Sequence, residues 1–160
     1  MESIIRDSIL EHLSTNNLIT PCQHGFLKKH STGSQLLECI NDFTDAIERG
    51  NCVDVCFIDF RRAFDTVSLP KLLHKLSAYG ISGTCLNWLS EFLSDRTMCT
   101  KIDGVFSHKV SQTCGVAQGT VLASLCFVLY INDLPDHIRN CVVKLYADDL
   151  KIYYCFKPNL

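Results

Sequence analysis

The sequence predicts an α+β domain in which helices are segregated around a small antiparallel sheet. Three observations carry that prediction. Two strand-prone arms, "VVKLY" and "LKIYY", flank an acidic turn at Ala147-Asp148-Asp149. A third strand-like run, "NCVDVCFIDF", lies far upstream and ends near Asp59. The stretches between and before them show helical spacing of apolar residues with recognisable start and stop signals. At 160 residues, with 47% hydrophobic and 20% charged residues, the chain suffices for one domain with a true core.

In chain order, Ile5, Ile9 and Leu13 recur at helical spacing and predict a short amphipathic helix ending before "STNNLITP". A loop follows, "QHGFLKKHST", holding the densest basic cluster, Lys28, Lys29 and His30. Thr32 followed by Gln35 reads as a capping box. Leu36, Ile40, Phe43 and Ile47 then keep helical spacing up to a stop at Gly50. In the strand-like run, Val53, Val55, Phe57 and Asp59 share one face, and Cys52, Asp54, Cys56 and Ile58 the other. Pro70 suits a first helical turn, with Leu72, Leu73, Leu76 and Tyr79 after it and Gly80 as terminator. Leu86, Leu89, Phe92 and Leu93 predict another helix. Asp103-Gly104 signals a two-residue hairpin whose central residues need positive φ. "GVAQGT" is a glycine-bounded loop feeding an apolar run, Val121 to Leu134, read as a buried helix stopped by Pro135.

Composition narrows the function classes. The longest near-apolar run, Val121 to Ile131, is too short to span a bilayer, and Glu2, Arg6 and Asp7 break any signal-peptide pattern at the start. No membrane role and no secretion are expected. Ten cysteines are scattered without a C-x-x-C pair, which points to buried, reduced thiols rather than to a disulfide frame or zinc. A formal net charge of −2 supplies no global basic field, so a nucleic-acid partner would need a local patch. His12, His74, His108 and His137 form no constellation with a nucleophile.

The carboxylates carry the chemistry. Two adjacent acids lose hydration as they near an interior, so in an apolar hairpin Asp148 and Asp149 require solvent or a cation. Taken alone they read as an exposed turn, since Asp is a common turn residue. With Asp59 brought alongside by a neighbouring strand, the set becomes an oxygen-donor site of the kind that hard divalent cations prefer. Two ions so held, about 3.5–4 Å apart, stabilise the attacking and leaving oxygens of an in-line phosphoryl displacement.

"FIDFRRAFD" (57–65), "GVAQGTVLASLCFVLYINDLP" (115–135) and "YADD" (146–149), in that order and spacing after "QHGFLKKHST", resemble the reverse transcriptases of non-LTR, LINE-like retrotransposons. The resemblance covers nearly the whole chain and implies a polymerase palm, a small antiparallel sheet with helices packed on one face, plus part of the fingers. Residues of about 1–50 would be fingers-side helices and the basic loop, and about 51–160 the palm. The upstream fingers motif, the later palm motifs and the thumb would lie outside the chain.

Carried onto this sequence, the resemblance implies RNA-directed DNA polymerisation: deoxynucleoside triphosphates added to a DNA primer 3′-hydroxyl on an RNA template. It implies Mg²⁺, two ions with Mn²⁺ as a substitute, held by the catalytic residues Asp59, Asp148 and the less strictly required Asp149, with the Phe60 carbonyl as a further ligand. Phe60, Arg61, Arg62, Ala63 and Phe64 would meet the triphosphate, Phe64 also screening out a 2′-hydroxyl. Gln118 and Gly119 would position the nucleotide, and Lys28 and Lys29 would touch the template. Core packing is the simpler reading of Phe64 alone, as a solvated surface is of the lysines and arginines. Tyr146, Tyr153 and Tyr154 read as strand residues before they read as base-stacking platforms.

The sequence departs from the family in two places: Ala117 stands before Gln118 where proline is usual, and Ala123-Ser124 replace a Gly-Pro pair. Both changes are expected to loosen the loop. Three readings follow: the polymerase, a catalytically silent retrotransposon remnant acting at most as a binding module, and another palm-type nucleotidyl transferase or cyclase. The last leaves the glutamine motif unexplained. A LINE-like polymerase would work in the nucleus, although no basic import cluster is visible.

Overall fold

The computed structural model describes residues 1–158. The chain forms two compact units, Met1–Leu13 with Arg62–Tyr130, and Ser14–Arg61 with Ile131–Leu160. Each is assembled from segments distant in sequence.

The first unit holds most of helix α1 (Glu2–Thr15), then α3 (Leu69–Ala78), α4 (Gly83–Leu93) and all but the last residue of α5 (Val121–Ile131). Its core includes Ile9, Leu13, Leu72, Leu76, Leu89 and Leu93, at the spacing predicted for α1, α3 and α4, together with Leu122 and Leu129 of α5. The α5 helix is almost uniformly apolar and buried from Leu122 to Leu129 save at Ser124, as an all-round hydrophobic helix must be. Two short ladders interrupt the helices. Strand β2 (Arg96–Met98) pairs with β5 (Val110–Gln112), and β3 (Lys101–Ile102) pairs with β4 (Val105–Phe106). Between β3 and β4, Asp103 and Gly104 both adopt positive φ, 49° and 84°, as the hairpin signal required.

The second unit holds α2 (Thr32–Glu48), β1 (Cys52–Asp59), β6 (Val142–Tyr146) and β7 (Asp149–Phe156), with the three strands antiparallel in the order β1-β7-β6. One sheet face gathers Val143, Leu145 and Leu150, with Ile58, Phe60, Ile131, Leu134, Ile138, Ile152 and Cys22 packed on them. Helix α2 covers part of the other. The apolar alternation of β6 and β7 thus feeds one face, while Lys144, Lys151 and Tyr153 point to the helix side.

Several expectations are corrected here. The capping box of α2 is formed by Ser31 and Ser34, one residue ahead of Thr32 and Gln35: each hydroxyl accepts the other residue's amide, at 3.0 and 2.9 Å. The buried side of α2 is Gln35, Cys39 and Ala46, whereas Leu36, Ile40 and Ile47 are exposed. The sheet surface beneath explains this. Lys151 donates to Gln35 (2.8 Å), Lys144 to Glu38 (2.5 Å) and the buried Tyr153 hydroxyl to Asp42, so the helix turns its polar flank inward. Helix α5 stops at Ile131, short of Leu134, and Pro135 falls in a separate 3₁₀ turn, Leu134–His137. The Asn132 side chain occupies this break, accepting from the Thr20 amide (2.9 Å) and donating to the Leu18 carbonyl (2.8 Å). All ten cysteines are free, yet only Cys39 and Cys126 are buried and six are exposed, so burial does not account for most of them. Among the described residues no helix is long and apolar enough to cross a membrane.

Candidate active site

Asp59 closes β1 and Asp149 opens β7, and the ladder sets them directly opposite each other. Tyr146, the last residue of β6, is the other partner of Asp149. Only Ala147 and Asp148 lie between the two strands, a two-residue hairpin loop. Ala147 takes positive φ, 52°, which matches the right-handed twist of the strands but is unfavourable for a residue with a Cβ. Asp59 and Asp149 are exposed and Asp148 half-buried. Opposed carboxylates on one sheet face repel, so the strand end is electrostatically suited to a cation. Among the described residues no group of three or more His, Cys, Asp or Glu gathers closely enough to hold a metal ion. The ladder alone brings two carboxylates into register, and Asp148 stands beside them in the turn.

A supporting loop braces this hairpin. The Leu145 amide donates to the Cys22 carbonyl and the His24 amide to the Leu145 carbonyl, both at 2.8 Å. Next along, the buried Gln23 side chain accepts from the Ala147 and Gly25 amides. The His24 ring is buried, 3.4 Å from the Glu38 carboxylate that also binds Lys144. Burial holds its pKa below the ordinary value, against the opposing pull of Glu38. The Lys144 hydrogen bond holds the Glu38 carboxyl below the usual range. Lys28 and Lys29 lie further along the same loop and are exposed, Lys29 with a φ of 67°.

The other predicted residues are divided between the two units. Phe60 is half-buried against the sheet core and Arg61 is exposed, both in the second unit. Arg62, Ala63, Phe64, Gln118 and Gly119 belong to the first. Arg62 is exposed with a φ of 53°, Ala63 is buried, and the Phe64 ring stacks on Phe127 at a centroid distance of 4.4 Å. The segment from Phe64 to Val67 is tied to the glycine loop: the Val116 amide donates to the Phe64 carbonyl (2.9 Å) and the Gly115 amide to the Val67 carbonyl (2.8 Å). Gln118 and Gly119 are exposed beyond this tie, and Thr120 caps α5 by accepting the Ala123 amide at 3.3 Å. Glu2 completes that helix start by accepting from Leu122 at 3.1 Å, an acid at the positive end of the helix dipole.

Sequence reasoning gave Gln23 and Gly25 no role. Their signal was present, a glycine two residues past a glutamine inside a loop, but hydrogen bonds to residues more than a hundred positions away leave no periodic trace.

The family profile described as "Reverse transcriptase (RNA-dependent DNA polymerase)" matches residues 1–159. The RNA-directed DNA polymerase from mobile element jockey of Drosophila funebris is 29% identical, covering 95% of this chain and 17% of that relative. A probable RNA-directed DNA polymerase from transposon BS of Drosophila melanogaster is 26% identical, covering 96% and 18%. This chain therefore spans about a sixth of the length of such relatives. Among solved structures, the apo telomerase of Candida tropicalis superposes with a TM-score of 0.69 at 12% identity, over 95% of this chain and 34% of that one. That likeness agrees with the α+β palm-and-fingers fold expected of the motifs. Motif order, sheet topology and the full-length profile match converge: the chain belongs to the reverse transcriptase (RNA-dependent DNA polymerase) family, with relatives among mobile elements.

Proposed function

We propose that this chain is the catalytic part of an RNA-directed DNA polymerase, extending a DNA primer with deoxynucleotides on an RNA template. The observation that carries the reading is the opposition of Asp59 and Asp149 across the β1/β7 ladder, with Asp148 in the adjoining turn. Carboxylate oxygens are the donors that Mg²⁺ takes, and they suit Mn²⁺ as well. Asp59, Asp148, Asp149 and the Phe60 carbonyl are the groups that would hold two such ions. When bound, the ions supply charge neutralisation at the phosphate and activation of the primer hydroxyl.

The chain's own residues do the rest. Arg61 and Arg62 present guanidinium donors to a triphosphate, a planar group suited to phosphate oxygens. The backbone amides from Phe60 through Ala63 to Phe64 would offer further donors to the same phosphates. The Phe64 ring, backed by Phe127, offers a rigid surface against which a sugar 2′-hydroxyl would clash. Gln118 supplies an exposed amide, and the left-handed Gly119 beside it permits close backbone approach. Lys28 and Lys29 offer exposed charge to template phosphates. Acting at chromosomal DNA, such a polymerase works in the nucleus.

The test is primer extension on an RNA template by this sequence joined to the flanking polymerase segments of a relative, beside Asp59→Ala and Asp148→Ala. Extension by the parent and loss in both variants supports the reading. Equal extension by all three overturns the acidic site, and no extension by the parent favours the silent remnant.

A further inference from the structure

The acidic turn is held from outside its own hairpin. Gln23 is 1% exposed, and its side-chain oxygen accepts from two backbone amides at once, Gly25 at 2.7 Å and Ala147 at 2.9 Å. Ala147 is the left-handed residue immediately before Asp148, and it too is buried, at 4% exposure. Gly25 presses on the same point. A Cβ there would stand 2.3 Å from the Ala147 nitrogen, so only glycine lets the loop lie this close. The parallel bridge between Gln23 and Leu145 fixes the approach.

We infer that Gln23 is a positioning residue for the polymerase reaction: its carbonyl pins the Ala147 amide, fixes the left-handed turn, and thereby sets the direction of Asp148 and Asp149. The physical need is plain. A non-glycine residue at positive φ is strained by its Cβ, and two neighbouring carboxylates add repulsion. A strained turn persists when its surroundings over-determine it, and buried acceptors facing buried donors do this cheaply. Gln23 touches no reacting atom. It acts through Ala147, and this role rests on the polymerase reading above.

The experiment compares the 160-residue chain with Gln23→Met, which keeps the length and removes the acceptor, and with Gln23→Glu, which keeps the acceptor. Amide exchange is followed by NMR, and Mn²⁺ is titrated while broadening at the Asp148 and Asp149 amides is read. In Gln23→Met, Ala147 exchange should quicken at least tenfold with the core amides of α5 unchanged, and the Mn²⁺ midpoint should rise severalfold. Gln23→Glu should restore both to within about twofold. Unchanged Ala147 protection in Gln23→Met overturns the inference. If that variant fails to fold, the through-hydrogen-bond coupling between the Ala147 nitrogen and the Gln23 side-chain carbonyl in the unaltered chain decides, its absence overturning the brace. An Ala147 response with no Mn²⁺ broadening in any chain supports the brace and overturns the metal site on which its purpose rests.

Discussion

Asp59 and Asp149 are cross-strand partners at the end of the β1/β7 ladder, two like charges on one face of the sheet. Directly opposed like charges destabilise a pair by a few tenths to about 1 kcal/mol. The Asp149→Asn chain should therefore resist urea better than the parent by about 0.2–1 kcal/mol. In primer extension the same change should lower activity. A less stable Asp149→Asn chain would mean that the pair is not repulsive and would remove the electrostatic argument for a cation there.

Tyr153 is a core residue with a polar tip. It is 1% exposed, its hydroxyl donates to the Asp42 carboxylate and its ring meets Phe43 edge-on, at 5.0 Å between centroids. Burial, with the carboxylate beside it, drives its pKa upward, so the hydroxyl remains a donor throughout the physiological range. Tyr153→Phe keeps the ring and strips Asp42 of its donor, which should cost about 1.5–3 kcal/mol in equilibrium unfolding. A loss below a few tenths would show the contact to be incidental.

What was legible in the sequence, and what was not, follows from these contacts. Periodicity found every major helix and all three strands of the palm sheet, because each depends on a local alternation of apolar and polar residues. It chose the wrong side of α2. Leu36, Ile40 and Ile47 looked like a core stripe, but Lys144, Lys151 and Tyr153 make the surface beneath α2 polar, and that lies in another part of the chain. The aspartates were visible because carboxylates in apolar strands are anomalous. The brace on them was not, since Gln23 and Ala147 are 124 residues apart.

Acid should loosen the second unit before the carboxylates titrate. His24 faces Ser34 and Glu38 of α2, His30 of its own loop and Lys144 of β6, and burial lowers its pKa from the ordinary 6.5. A base with a lowered folded pKa binds protons more readily when unfolded. Its contribution is therefore complete above about pH 6.5 and is lost as pH falls through the folded value. Glu38, also depressed, adds its loss below its ordinary 4.5. Thermal melts should show stability falling from about pH 6.5 downward, with His24→Gln flattening the first part of that slope. An identical slope in His24→Gln would assign the acid sensitivity elsewhere.

The glycine loop can be tested with an internal control. Gly115 and Gly104 have nearly equal positive φ, 83° and 84°, yet a Cβ on Gly104 would meet nothing within 4 Å. On Gly115 it would stand 2.7 Å from the Asp65 carbonyl oxygen, backbone that cannot swing aside as a side chain does. Gly104→Ala should thus cost only the left-handed penalty, about 1–2 kcal/mol. Gly115→Ala pays this and must also push apart the segment that ties Phe64 and Val67 to the loop, so its loss should be clearly larger. Because that tie fixes the backbone of Phe64, the same change should also disturb the Phe64–Phe127 stack, read as altered ring chemical shifts. Equal losses in the two variants would show that the loop yields freely, and that Gly115 serves its φ angle alone.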